Sequence, residues 1–139
     1  MIKNILNLGD SALYCDFGDE VNREINSRVI HYFNNIRDRN IIGITNIVPS
    51  YNKLIIIFDL TIINFERLKE IINSLDLKTY DKNEKKLTKI PICCDDEFAL
   101  DFNRLETNLK ISKDQIIKIF FSKEYFCYMT GFIAGMPFL

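Results

Sequence analysis

Leu54-Ile55-Ile56-Ile57-Phe58 is the stretch on which the fold turns. Five consecutive apolar residues, three of them β-branched, suit a central strand that is covered on both faces. Pro49-Ser50-Tyr51-Asn52 precedes it and has the composition of a turn. Gly43 to Val48 precedes that turn, so the two runs read as neighbouring strands.

Moving outward, a helix is expected on each side of this pair. From about Asn22 to Arg39, Ile25, Val29, Phe33 and Ile36 fall at i, i+4, i+8 and i+11, one stripe facing a sheet. Asp19 or Asn22 can cap its start by accepting a backbone N–H. After the pair, Asn64 caps a second helix with Phe65, Leu68, Ile71, Ile72 and Leu75 on one face. Ahead of the first helix, residues 5–8 and 11–17 read as two pieces of strand bent at Gly9-Asp10, a pair that reads as a turn or bulge. Leu13, Cys15 and Phe17 alternate there with Ala12, Tyr14 and Asp16, the period of a half-buried strand. The order is β-α-β-β-α. A closing strand completes a ferredoxin-like βαββαβ domain, so the fold class is α+β.

Residues 81–89, Asp-Lys-Asn-Glu-Lys-Lys-Leu-Thr-Lys, mix both charge signs and read as a solvated connector and domain boundary. The domains expected are 1–85 and 86–139. Lys89 to Cys93 reads as a short strand with Pro91 at an edge or strand start. Phe102, Leu105 and Leu109 share a helical face, and Ser112-Lys113-Asp114-Gln115 is a capping box leading into Ile116, Ile117, Ile119 and Phe120. Tyr125 to Met129 opens as a strand. Gly131, Gly135 and Pro137 then punctuate the apolar run to Leu139, which reads as a bent, packed loop.

The totals bound the function. A chain of 139 residues with 47% apolar and 27% charged residues has globular composition. A formal net charge of -1 without a basic face argues against nucleic acid as a partner. No apolar run approaches the ~20 residues of a membrane span, and the N-terminus lacks signal-peptide architecture. Cys15, Cys93, Cys94 and Cys127 are irregularly spaced, which suits a reduced, cytoplasmic protein.

Chemistry is sparse. The vicinal Cys93-Cys94 has no second ligand pair for zinc and reads as one core thiol beside a half-exposed one. Asp95-Asp96-Glu97 with Asp101 lacks the spaced oxygen ligands of a cation loop. His31, the single histidine, falls off the apolar stripe and reads as a surface residue, unsuited to a triad. There is no phosphate loop and no dinucleotide fingerprint. No metal site and no catalytic constellation can be assembled.

Gly131-Phe132-Ile133-Ala134-Gly135-Met136-Pro137-Phe138-Leu139 resembles a Gly-Phe-x-Pro-Gly-Phe-Pro-Tyr-Leu signature. This is the signature of the prokaryotic 5-oxoprolinase B-subunit family, also called allophanate hydrolase subunit 1 or the Kip-type histidine-kinase inhibitor. Leu8-Gly9-Asp10-Ser11-Ala12-Leu13 and Ile90-Pro91-Ile92-Cys93 with Glu97-Phe98 fit the same family in the same order. Ala134, Met136 and Phe138 depart from its proline, aromatic residue and tyrosine.

The resemblance implies an α/β N-terminal domain followed by the beginning of a cyclophilin-like β-barrel of the carboxyltransferase type. It also implies that the chain is truncated within that barrel, incomplete and inactive alone. The implied activity is one part of an ATP-dependent hydrolase that opens 5-oxoproline to glutamate, or of an allophanate hydrolase-like complex. ATP belongs to the full complex, and this chain alone is expected to bind no cofactor. The implied partners are other subunits of a hetero-oligomeric hydrolase. Self-association through the apolar C-terminus is a further expectation. The matching positions, Gly9, Asp10, Gly131, Phe132, Gly135 and Pro137, take site-shaping or substrate-binding roles. Two other readings remain: a non-enzymatic binding module that inhibits a sensor histidine kinase, and a truncated remnant of a split or decaying gene.

Overall fold

The computed structural model describes residues 2–77 and 87–139. They fall into two compact units. One holds the described residues up to 77 together with Cys127–Leu139; the other holds those from 87 to Phe126.

The first unit is built on a four-stranded, wholly antiparallel sheet. Its strands are β1 (Asn4–Asn7), β2 (Ala12–Asp16), β3 (Ile44–Pro49) and β4 (Lys53–Phe58), in the spatial order β1-β2-β4-β3. Helix α1 (Arg23–Asp38) connects β2 to β3, and α2 (Phe65–Asn73) follows β4. Alternation decides which side chains meet the helices. Leu13, Cys15, Leu54, Ile56 and Phe58 are buried with Val29 and Ile36 of α1 and Leu68 and Ile72 of α2. Burying each such aliphatic side chain contributes about 1.5–3 kcal/mol.

Both helices start where the sequence indicates. The Asn22 and Asn64 side chains accept from the Ile25 and Arg67 amides, each at 2.9 Å. The β4 run, expected to be covered on both faces, is covered on one: Ile55 and Ile57 are half-buried on the other. At Gly9-Asp10 the two N-terminal pieces form a turn rather than a bulge within one continuing strand. They fold back on each other, with Ile5 opposite Cys15 and Leu6 opposite Tyr14. Gly9 makes this turn possible with φ +65, a region glycine enters at little cost.

The closing strand expected after the second helix does not occur among the described residues. Instead β1 lies on the outer side of β2 and pairs with it antiparallel. The N-terminal segment therefore covers that edge of β2. Of the 81–89 connector, positions up to 86 lie outside the described residues, and Leu87 to Cys94 forms no strand. Pro91 can donate no ladder hydrogen bond, in keeping with that.

The C-terminal run of the first unit is a hairpin of two short strands, β5 (Met129–Thr130) and β6 (Pro137–Phe138), with Met129 opposite Phe138. The expected strand over Tyr125–Met129 thus begins only at Met129. Pro137, expected in a loop, sits in β6.

In the second unit, α3 (Phe102–Leu109) ends on Lys110 at φ 56, and α4 (Lys113–Phe121) starts on the capping box of Ser112 and Gln115. Neither helix buries a residue. The Lys113 ammonium reaches Asp96 at 2.6 Å and lies 5.1 Å from the Phe102 ring centre. No helix among the described residues is long and apolar enough to cross a membrane.

Candidate functional site

The C-terminal hairpin shows Gly131, Phe132, Gly135 and Pro137 together. Its strands close with Tyr128 N–H on the Phe138 carbonyl at 2.9 Å and Gly131 N–H on the Met136 carbonyl at 3.1 Å. At the tip, Ile133 N–H donates to the Gly131 carbonyl at 2.7 Å and Met136 N–H to the Ile133 carbonyl at 3.0 Å. These tight turns require left-handed backbone at Gly135, φ +81, and at Phe132, φ +62. Glycine adopts such angles freely, whereas a bulky residue does so at a cost of about 1–3 kcal/mol. Phe132 is thereby projected outward, 91% exposed.

The hairpin rests at one end of the sheet. Asn26 of α1, only 3% exposed, donates from Nδ2 to the carbonyls of Ser50 at 3.2 Å, Tyr51 at 3.0 Å and Tyr128 at 3.1 Å. Ser50 Oγ lies 3.4 Å from Met129 Sδ. The Tyr51 ring meets Tyr128 and Phe138.

Beside these contacts, Asp16 and Lys53 are directly opposed on β2 and β4 and form a half-buried ion pair. Gly18 N–H also donates to Asp16 Oδ1 at 2.8 Å, and Lys53 Nζ donates to the Gly18 carbonyl at 2.6 Å. The hydrogen bond from Lys53, then that from Gly18, holds the Asp16 carboxyl below its ordinary range. Partial burial is the largest single influence on Lys53 and opposes its charge, but the hydrogen bond to Asp16 and the nearby Tyr14, Asp16 and Asp19 groups together outweigh it and raise the ammonium's pKa. A carboxylate so engaged is a structural anchor rather than a general base.

Gly9 and Asp10 lie elsewhere. They form the β1–β2 turn, at the end of the sheet where Ala12 faces Ile57 and Phe58 N–H bonds the Ser11 carbonyl at 2.9 Å. The hairpin sits at the opposite end, where Asp16 faces Lys53. The six expected site residues thus form two groups separated by the length of β2. Both Gly9 and Asp10 are exposed, and a side chain added at Gly9 would meet no atom within 4 Å.

The remaining candidates are dispersed. Cys93, expected with Cys94 as a core and half-exposed pair, is exposed, and Cys94 is half-buried. Cys93 Sγ contacts Asp95 at 3.4 Å while Asp96 turns to Lys113. Among the described residues no three His, Cys, Asp or Glu side chains converge in a way that could hold a metal ion. His31, expected on the surface, is half-buried.

Two features escape the sequence reading. One is an open groove of about 530 Å³ between the end of α1 and β3, lined by Phe33, Ile36, Arg37, Ile44 and Ile47 among others. The other is Asn26. It does leave a signal in the sequence, because Asn26, Val29, Phe33 and Ile36 follow one another at helical spacing. A polar residue on a buried stripe needs partners.

The chain has recognisable relatives. The model of the carboxyltransferase domain, subdomain C and D, matches residues 3–139. The 5-oxoprolinase B-subunit of Bacillus subtilis (strain 168) is 27% identical over 144 aligned residues, covering 95% of this chain and 60% of that protein. The chain therefore spans about three-fifths of that relative's length. The crystal structure of TTHA0988 superposes with a TM-score of 0.71 at 23% identity, over 87% of this chain and 24% of that one. The conserved uncharacterized protein PH0987 from Pyrococcus horikoshii is 29% identical, over 94% of this chain and 60% of its own, with a TM-score of 0.47.

Proposed function

This chain belongs to the carboxyltransferase domain family, subdomain C and D, and on that premise we propose that it acts as a subunit of an ATP-dependent 5-oxoprolinase or an allophanate hydrolase-like complex. The observation that carries the reading is the family match from residue 3 to residue 139, which takes in the whole glycine-rich hairpin. The relative from Bacillus subtilis, named as a 5-oxoprolinase component, supports the cyclic-amide substrate.

In this reading the protein's contribution is shape. Gly131, Gly135 and Pro137 bend the hairpin and Phe132 stands out from it. These features suit contact with a substrate or a neighbouring subunit. Gly9 and Asp10 shape a second contact at the far end of the sheet. The acid, base and ATP-binding groups come from the partner subunits, and the complex works in the cytoplasm. We assign residues 1–85 to a ferredoxin-like domain in which β1 takes the place of the closing strand. Residues 86–139 form the beginning of a cyclophilin-like barrel, whose hairpin packs back on the N-terminal sheet.

The test is reconstitution with the partner subunits of such a complex. ATP-dependent conversion of 5-oxoproline to glutamate should need this chain and should fall when Phe132→Ala is introduced. Conversion that proceeds equally without the chain would overturn the reading.

One observation favours a second reading. Phe132, Ile133, Met136 and Leu139 are exposed around the hairpin, a surface suited to binding a protein. A binding module of the Kip type would slow autophosphorylation of a sensor histidine kinase with no other subunit present.

A further inference from the structure

We infer that Asn26 is a polar latch that positions the Gly131–Pro137 hairpin, making the hairpin a docked, separately releasable element rather than part of the core. This goes beyond the hydrolase reading and does not depend on it.

Among the described residues, the buried apolar cluster of the first unit draws its members from residues between Ile5 and Ile72, and the half-buried side chains packed on it end at Leu75. Among the described residues, the hairpin adds none to either set. The contacts that dock it include the three Asn26 hydrogen bonds, the Ser50–Met129 contact and the rings of Tyr51, Tyr128 and Phe138. The carboxamide NH2 carries two hydrogens and serves three carbonyls, so one hydrogen is shared.

The acceptors come from two places in the chain. Those of Ser50 and Tyr51 belong to the β3–β4 turn, and that of Tyr128 stands 102 residues from Asn26. A partly buried carbonyl left without a donor carries a cost. The carboxamide therefore favours the arrangement in which the turn and the hairpin share this site. Opening the hairpin lets water replace the bond to Tyr128, whereas the sheet keeps all its ladder bonds.

Hydrogen exchange of the full chain, read by peptide, tests this with Asn26→Ala and Asn26→Asp. Alanine is a good helix former and introduces no buried charge. The Asp substitution keeps the size but replaces the donor with an acceptor facing three carbonyls. The expected result is exchange about tenfold faster, or more, over residues 128–138. Residues 12–16 and 53–58 should remain as slow as in the parent. Unchanged exchange over 128–138 in both variants would overturn the latch. Equal acceleration in hairpin and sheet, or unfolding of the Asn26→Ala chain, would overturn it too, because Asn26 would then be holding the core. Should only the Asn26→Asp chain unfold, the alanine variant decides.

Discussion

Tyr51 in the β3–β4 turn and Tyr128 just before β5 hold their ring centroids 5.5 Å apart, with the ring planes tilted by 39°. Aromatic pairs at this separation contribute about 0.5–1.5 kcal/mol beyond the area they bury. A double-mutant cycle with Tyr51→Ala and Tyr128→Ala, read from urea unfolding, should return a coupling of that size. A coupling indistinguishable from zero would mean that the rings meet without holding the hairpin.

The ion pair of Asp16 and Lys53 has a defined pH signature. Because the folded-state pKa of Asp16 is depressed, its stabilisation is present above the unfolded value and lost as pH falls through the folded one. Lys53 has the opposite sign: its raised pKa stabilises the fold below the unfolded value, and the benefit is lost as pH rises through the folded one. Asp59 and Asp96 are also depressed, by hydrogen bonds from Thr61 and Lys113. Only a difference between variants therefore isolates Asp16. Acid titration of the parent and Asp16→Asn, from about pH 5 to about pH 2, should show a shallower loss of stability in the variant. Parallel curves would show that the pair is energetically silent.

Gly43 and Gly9 both have left-handed backbone, φ +96 and φ +65, but differ in their surroundings. An added Cβ at Gly43 would come within 2.6 Å of Ile63 Cγ2, while at Gly9 it meets open space. Gly9→Ala should cost about 1–2 kcal/mol, from backbone strain alone. Gly43→Ala should cost distinctly more, because Ile63 must also move. Thermal or urea denaturation of the two variants should rank them in that order.

The cysteines should separate by reactivity. Cys15 is fully buried and burial pushes its thiol up to about 12, whereas Cys93 and Cys127 are exposed. A disulfide reagent applied to the native chain should label Cys93 and Cys127 quickly and Cys15 only after unfolding, since thiolate and access set the rate. Rapid labelling of Cys15 in native buffer would contradict the packing of β2 against the helices.

The parts of this fold that sequence reveals are those written in local patterns. Asn22, Asn64 and Ser112 announce helix starts because a cap needs one side chain within three residues of its donor. Leu13, Cys15 and Phe17 mark a buried face because strand period is local. The pairing of β1 with β2 is different. The same alternation fits a bent strand or a hairpin, and only the backbone at Gly9 distinguishes them. Ile55 and Ile57 also mislead, since isoleucine suits a half-exposed sheet face as well as a closed one. The candidate site was legible only in part. Gly131, Gly135 and Pro137 lie close in sequence and share one hairpin, but no local signal shows that Gly9 and Asp10 belong to the other end of the sheet. Asn26 escapes that reading, although a polar residue at helical spacing with Val29, Phe33 and Ile36 is a signal, and its partners lie too far along the chain to be guessed.

The distance between Asn26 and Tyr128 also orders events in time. Closing a long loop is entropically costly, and contacts remote in sequence form slowly. Every ladder of the four-stranded sheet joins residues between Asn4 and Phe58. A nascent chain leaving the ribosome can complete that sheet while residues 127–139 are still being synthesised. The carbonyls of Ser50 and Tyr51 would then wait, with Asn26, as a preformed berth. On that order the hairpin is expected to dock last, once its own residues have emerged.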